Sequence, residues 1–194
     1  MDTSYINTLV DRLRRWNYTV TAGLSDSEVS AIESRFGFRF PPDLRHFLQQ
    51  ALPVSGGWVD WRNETVAKIR ERLNWPLDGM IFDIEQNAFW LEAWGHKPDT
   101  LAEAIEVAKM EVAKAPTLIP ILSHRYIPDD PPLAGNPVFS VYQTDIIYYG
   151  YDLASYFENE FSEGPDGYHA SGHYQPDVFQ KHPRPIRFWD EIAG

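Results

Sequence analysis

A three-residue link between two apolar runs in the second half of the chain restricts the fold more than any other feature. The run 138–142 (Val-Phe-Ser-Val-Tyr) is followed by Gln143-Thr144-Asp145 and then by the run 146–149 (Ile-Ile-Tyr-Tyr). Such composition is typical of β-strands, and a link this short joins antiparallel strands, because parallel strands need a crossover of a dozen residues or more. With a further strand predicted at 118–122, the sequence predicts a mainly antiparallel sheet.

Helical patterns fill the first fifty residues and return between the strands. The best-marked helix begins at a capping box of Ser25 and Glu28 and ends at Gly37, and a proline pair, Pro41-Pro42, opens the next one. Apolar spacing and end signals predict helices at 6–16, 25–36, 41–52, 66–73, 98–112 and 153–161. Helices first, then strands interleaved with helices, are typical of the α+β class, with N-terminal helices and helices packed on one side of a central sheet.

The remaining segments are assigned by composition. A short strand is predicted at 58–61, and a hairpin of strands 80–84 and 88–94 around residues 85–87. Residues 164–185 combine glycines, prolines and histidines with few apolar residues, which predicts a long loop. Arg187-Phe188-Trp189 is expected to pin the C-terminus onto the body. A length of 194 residues then predicts one domain over 1–194.

The charge of the chain favours some partners over others. Lys and Arg number 17 and Asp and Glu number 28, a net charge of −11, although the first fifty residues are neutral. A field of this sign repels nucleic-acid phosphates and anionic membrane surfaces, so neither is an expected partner, whereas it draws in a basic protein. From the charge alone, however, the preferred interpretation is that it only keeps the protein in solution.

Composition also limits the chemistry and the location. The chain has no cysteine, which excludes disulfides, thiolate nucleophiles and cysteine-ligated zinc and fits a reducing cytosol. No basic and apolar leader opens the sequence, and no run approaches ~18 consecutive apolar residues. We therefore expect a soluble, cytoplasmic protein.

Motifs for catalysis are missing, and the strongest candidates are weak. The sequence lacks the dinucleotide and P-loop glycine patterns, the Gly-x-Ser-x-Gly elbow and His-Glu-x-x-His. His169 and His173 have a metal-ligand spacing on a helix, but the glycines around them argue against a helix. We expect no enzyme activity, no cofactor and no metal, with a metal hydrolase at these histidines as the remote alternative.

A second cluster, Ser123-His124-Arg125 near Asp129-Asp130, offers a serine, a base and carboxylates. Neighbouring residues on a strand point to opposite faces, so Ser123 is not expected to hydrogen-bond His124 as a nucleophile must. A carbohydrate platform is a further alternative, since flat aromatic rings stack on sugars. The odd spacing of Trp58 and Trp61 places at least one of them in the core, and we expect most of the four tryptophans considered to be core: Trp58, Trp61, Trp90 and Trp94.

Several stretches together resemble the SUKH superfamily of Smi/Knr-like domains. The opening consists of 24–28 (Leu-Ser-Asp-Ser-Glu) and 36–48 (Phe-Gly-Phe-Arg-Phe-Pro-Pro-Asp-Leu-Arg-His-Phe-Leu). The second part is similar to a bacterial subgroup and comprises 119–126 (Ile-Pro-Ile-Leu-Ser-His-Arg-Tyr), 135–143 (Gly-Asn-Pro-Val-Phe-Ser-Val-Tyr-Gln) and 145–150 (Asp-Ile-Ile-Tyr-Tyr-Gly), followed by Asp152-Leu153. The resemblance extends over residues 20–165.

The resemblance implies an α+β fold with a central antiparallel sheet and no established catalytic residues. It implies a bacterial immunity protein that binds and neutralises a toxin, often a nuclease; the alternative is a regulatory scaffold like the fungal regulator of cell-wall glucan synthesis. The matching residues are core and cap positions, so no binding residue follows from them. A basic nuclease suits an acidic surface that mixes Asp or Glu with Tyr, and by chemistry the candidates are Asp129, Asp130, Tyr142, Asp145, Tyr148 and Glu158.

Overall fold

The computed structural model describes residues 1–161 and 182–193. Within these residues there are six α-helices and six β-strands. The helices are α1 (Thr3–Arg15), α2 (Asp26–Phe36), α3 (Pro42–Gln50), α4 (Val66–Gln86), α5 (Leu101–Val112) and α6 (Leu153–Glu160). The strands are β1 (Val20–Ala22), β2 (Ala51–Pro53), β3 (Leu118–Leu122), β4 (Arg125–Pro128), β5 (Val138–Tyr142) and β6 (Asp145–Gly150). The predicted α+β class is confirmed.

The helical pair α2 and α3 forms as the sequence predicts. The Ser25 hydroxyl accepts a hydrogen bond from the Glu28 amide, and the Glu28 carboxylate accepts one from the Ser25 amide at 2.8 Å. Gly37 ends α2 in the left-handed region, at φ +80°. However, α3 ends at Gln50, so Leu52 lies in β2 rather than on the helix, because the proline that follows it disfavours helical backbone.

The four-stranded sheet has the order β3-β4-β5-β6, with every neighbouring pair antiparallel, and β1 and β2 form a separate pair. Ile119, Ile127 and Val138 pack with α1, α2, α3 and α6. Tyr126 and Phe139 point to the opposite face and pack with α4 and α5. Helices therefore cover both faces, whereas the sequence predicts one side, because neighbouring apolar residues on a strand need a cover on each face.

The predicted hairpin at 80–84 and 88–94 is wrong. Residues 80–84 belong to the end of α4, and 88–94 are irregular chain with a single 3-10 turn at Glu92–Trp94. The buried side chains of α4 keep helical spacing, as Ile69, Met80 and Ile84 show. Phe82 conceals this spacing, since it is apolar yet 46% exposed and makes the run resemble a strand.

The strands of the structure differ from the predicted strands at two further segments. Residues 58–61 form no strand, and only an isolated bridge joins Trp58 to Leu122. Trp58 and Trp61 are both buried, at 3% and 6% exposure, so neither offers a platform for a sugar. In addition, the sequence predicts no strand at the position of β4.

The C-terminal segment packs onto the body, as predicted. Trp189 is 2% exposed, and its indole Nε1–H donates to the Pro116 carbonyl at 2.8 Å. Ile186 is buried in the same cluster. Most of the predicted loop 164–185, including His169 and His173, lies outside the described residues. Among the described residues, no helix has the length and apolar character needed to cross a membrane.

Trp189→Ala should lower the free energy of unfolding by about 3–5 kcal/mol, because it leaves a cavity and an unpaired Pro116 carbonyl. Urea unfolding followed by circular dichroism measures the loss. Trp75→Ala is the control and should cost clearly less, since Trp75 is 44% exposed. Equal losses would contradict a core role for the C-terminal segment.

Candidate functional site

A cleft of about 510 Å³ opens between α4, the turn that joins β3 to β4, and the end of β5. We call it the aromatic cleft; its lining residues are Gly57, Lys68, Glu71, Arg72, Trp75, Ser123, His124, Tyr126 and Tyr142. Binding pockets in proteins have volumes of roughly 300–1,000 Å³ and mostly apolar walls. The aromatic cleft therefore has the size of a binding site.

The aromatic side chains of the cleft are fixed in part by hydrogen bonds. Trp75 on α4 is 44% exposed, and its indole Nε1–H donates to the Val141 carbonyl at 3.3 Å. Tyr126 is buried and donates its hydroxyl proton to the Arg72 carbonyl at 2.9 Å. Tyr142 ends β5 and is 60% exposed. The cleft thus presents solvent-exposed aromatic surface on a fixed frame.

A buried carboxylate joins the two walls of the cleft. Asp83 of α4 accepts hydrogen bonds from the Thr144 amide at 2.9 Å and the Thr144 hydroxyl at 2.6 Å. Its other oxygen accepts a hydrogen bond from the Asn87 amide group at 2.6 Å. Burial acts to raise the pKa of Asp83, but the hydrogen bonds from Thr144 and Asn87 outweigh it and keep the pKa below its ordinary value. The ionised carboxylate therefore holds the β5–β6 turn on α4.

Gly79 permits the close approach of helix and turn. A Cβ atom at this position would lie 2.7 Å from the Gln143 Cα, which leaves no room for any side chain. Gln143 itself has a positive φ of 56° within the two-residue turn. Helix and turn are consequently in backbone contact beside the aromatic cleft.

Ser123, His124 and Arg125 form the polar end of the cleft. Contrary to the sequence prediction, the Ser123 hydroxyl lies 3.3 Å from the His124 Nδ1, because Ser123 is in a turn with φ 51° rather than in a strand. The other ring nitrogen, Nε2, contacts the Arg125 guanidinium. Burial and then the nearby Arg125 lower the pKa of His124, so the ring is neutral at pH 7.

In the part of the chain that the structure describes, no carboxylate completes this arrangement as the third member of a catalytic triad. A carboxylate normally orients the histidine through its second nitrogen, and here that nitrogen faces Arg125 instead. Asp129 accepts a hydrogen bond from the Thr117 amide at 2.8 Å, and Asp130 lies 3.9 Å from Arg187. The carboxylates of Asp129 and Asp130, which the sequence offers as members of this cluster, are therefore paired elsewhere in the fold.

Arg125 stabilises the same end of the cleft through contacts with other parts of the fold. Its guanidinium pairs with Glu160 at 2.9 Å and donates to the Ser140 hydroxyl at 2.8 Å. The group also lies over the Tyr149 ring, 3.7 Å from its centroid. These contacts balance the positive charge of Arg125 within the fold.

Of the six predicted partner-binding residues, the structure brings two to the cleft region. Tyr142 lines the aromatic cleft, and Asp145 is its register partner across the β5–β6 turn. Asp145 is exposed. Asp129 and Asp130 follow β4 at the opposite end of the sheet, so these four residues do not form one surface.

The remaining two predicted residues have partners within the fold. Tyr148 donates its hydroxyl proton to Asp190. Glu158 pairs with Arg12 at 3.0 Å and accepts a hydrogen bond from the Tyr5 hydroxyl at 2.8 Å. Both sets of contacts link distant parts of the chain, which makes them invisible in the local sequence.

Sequence reasoning did not identify Glu71 and Trp75 as candidate site residues, because neither belongs to a sequence motif. The signal that could have found Trp75 was the helical spacing that continues beyond Leu73 to Met80 and Ile84 and makes 66–86 one helix. On such a helix Trp75 falls away from the buried stripe, which marks it as an exposed aromatic residue.

Among the residues that the structure describes, no group of three or more His, Asp or Glu could hold a metal ion. Comparisons with protein-family models, with curated proteins and with solved structures found no match. The geometry of the aromatic cleft, its charges and the sequence resemblance are therefore what bear on function.

Asp83→Asn should lower the free energy of unfolding at pH 7 by about 1–3 kcal/mol, because Thr144 then bonds to a neutral group. The lowered pKa of Asp83 means that its stabilising effect is complete above the unfolded value, about 3.9, and is lost as the pH falls below it. The difference between the proteins should therefore shrink by pH 3. Urea unfolding at pH 7, 5 and 3 measures it, with exposed Asp78→Asn as the control; a constant difference would contradict the charge-based role.

Proposed function

We propose that this chain is a non-enzymatic, protein-binding domain that neutralises a basic protein, as an immunity protein neutralises a toxin, and that the partner docks at the aromatic cleft. The observation that carries the proposal is the pairing of Trp75 and Tyr142, 44% and 60% exposed, at one cleft of fixed geometry. Tryptophan and tyrosine are the residues that most often supply binding energy in protein interfaces.

The charge around the cleft supports a basic partner. Residues 73–113, which include most of α4 and all of α5, hold eight carboxylates and two lysines, a net charge of −6. Exposed Asp78 and Glu85 lie on the same helix as Trp75, and Asp145 lies beside Tyr142. The lining of the cleft also holds Lys68 and Arg72, which both contact the Glu64 carboxylate. The acidic excess of the neighbouring helix and turn outweighs these two cations and steers an oppositely charged protein towards the apolar centre.

The partner class follows from this charge and from the resemblance of residues 20–165 to the SUKH superfamily. A nuclease presents a basic cleft for phosphates, and the same cleft attracts an acidic protein. We propose such a toxin as the partner and the cytoplasm as the place of neutralisation. The proposal assigns no reaction to the cleft, because no carboxylate among the described residues orients His124.

Tyr142→Ala should weaken binding of the partner about ten-fold or more, as expected for an exposed aromatic residue at the centre of an interface. The test is affinity capture by the immobilised full chain from the native organism at low and moderate salt, read by mass spectrometry. A basic protein retained by the unchanged chain and by Tyr151→Ala, but lost with Tyr142→Ala, is the expected result. Tyr151 is also exposed, at 41%, and does not line the cleft.

The capture experiment has clear contrary outcomes. Partners that are only acidic or neutral, or a basic protein retained equally by both variants, would contradict the proposal. In the first case the class of partner is wrong, and in the second the binding surface lies elsewhere. Loss of the basic protein as salt rises is expected, because the attraction is between exposed charges.

Asp145→Lys should slow association with the purified basic partner about three- to ten-fold at low salt, since rim charges act mainly on the association rate. Asp130→Lys makes the same change of charge at the opposite end of the sheet and is the matched control. Stopped-flow fluorescence measures both rates. Equal slowing by the two variants would assign the effect to net charge alone rather than to the aromatic cleft.

A further inference from the structure

Glu71 is the charged residue of the aromatic cleft whose carboxylate is left unpaired. Lys68 and Arg72 both contact the Glu64 carboxylate, at 3.5 Å and 3.3 Å, and Arg72 also donates to the Gly57 carbonyl at 3.1 Å. Within the described part of the chain, Glu71 has neither an ion pair nor a side-chain hydrogen bond. A negative charge is therefore available to an incoming group.

Glu71 and the exposed aromatic rings face the same space. Glu71 precedes Trp75 by four residues on α4, so the two side chains are neighbours on one face of the helix. Tyr142 lines the cleft from the end of β5. The cations that line the same cleft, Lys68 and Arg72, both contact the Glu64 carboxylate, so they repel an incoming cation less than unpaired cations would. An unpaired carboxylate beside two aromatic rings is a combination that suits a flat cation.

We propose that the aromatic cleft receives one arginine side chain of the basic partner, with the guanidinium against the rings of Trp75 and Tyr142 and in an ion pair with Glu71. This inference rests on the proposed function and specifies what the partner inserts. Arginine fits better than lysine, because its planar, weakly hydrated group stacks on aromatic rings and pairs with a carboxylate at the same time.

Among the described residues, a guanidinium lies against an aromatic ring at two other places. The Arg125 guanidinium lies over the Tyr149 ring at 3.7 Å while it pairs with Glu160. A second guanidinium, that of Arg70, lies 5.7 Å from the centroid of the Phe36 ring. The first arrangement combines a ring and a carboxylate around one guanidinium, as we infer for the cleft.

The test uses the nitrogen-15-labelled full chain and the indole N–H resonance of Trp75, assigned with Trp75→Phe. The probe is N-acetyl-L-argininamide, and N-acetyl-L-citrullinamide is its neutral counterpart of nearly the same shape. Arginine should shift the Trp75 resonance in a saturable way, with a Kd in the millimolar range expected for so small a ligand. Citrulline should bind at least about five-fold more weakly, because it lacks the charge.

Glu71→Gln should raise the Kd for the arginine probe about five- to ten-fold, since it removes the charge and keeps the shape. Glu85→Gln is the matched control; Glu85 is an exposed carboxylate on the same helix that does not line the cleft. It should leave the Kd unchanged. Thermal unfolding of both variants checks that the fold is retained.

Three results would overturn the arginine site: no saturable shift, citrulline binding as tightly as arginine, or equal Kd values for Glu71→Gln and the unchanged chain. None of them decides the proposed function, which depends on capture of a basic partner and its loss with Tyr142→Ala. Capture that fails while the arginine probe still binds would instead contradict the proposed function.

Discussion

The shape of the candidate site depends on the hydrogen bonds that the Asp83 carboxylate accepts. Its hydrogen bonds to Thr144 hold the β5–β6 turn against α4, and these two elements are the walls that carry Tyr142 and Trp75. Asp83 is 4% exposed, so its bonds compete little with water. A site assembled from parts of the chain about sixty residues apart thus depends on one buried group.

The fold could be predicted where its causes are local. The capping box of Ser25 and Glu28, the glycine that ends α2 and the short link between β5 and β6 each act within a few residues, and each formed as expected. The second half of α4 and the strand β4 could not be read in this way. Phe82 is apolar but faces solvent, and β4 begins after a turn that the positive φ of Ser123 makes possible.

The candidate site was harder to predict than the fold, because residues far away in the chain decide whether a side chain is exposed or already paired within the fold. Tyr148 and Glu158 have the chemistry of an interface, but their partners are forty-two and one hundred and forty-six residues away, in Asp190 and Arg12. Tyr142 and Asp145 remain exposed because they flank a turn. Composition indicated which kinds of residue suit an interface. Only the packing separated the residues that are exposed from those that stabilise the fold.

The uneven distribution of charge has a consequence for the approach of a partner. The first fifty residues carry six basic and six acidic side chains, whereas residues 73–113 have a net charge of −6. Residues 114–194 carry a further net charge of −6, so the negative charge is shared by two long stretches of the chain. Such charge attracts a basic protein from many directions and so raises the rate of encounter. It does not by itself select an orientation, which is left to the shape and the contacts of the docking surface.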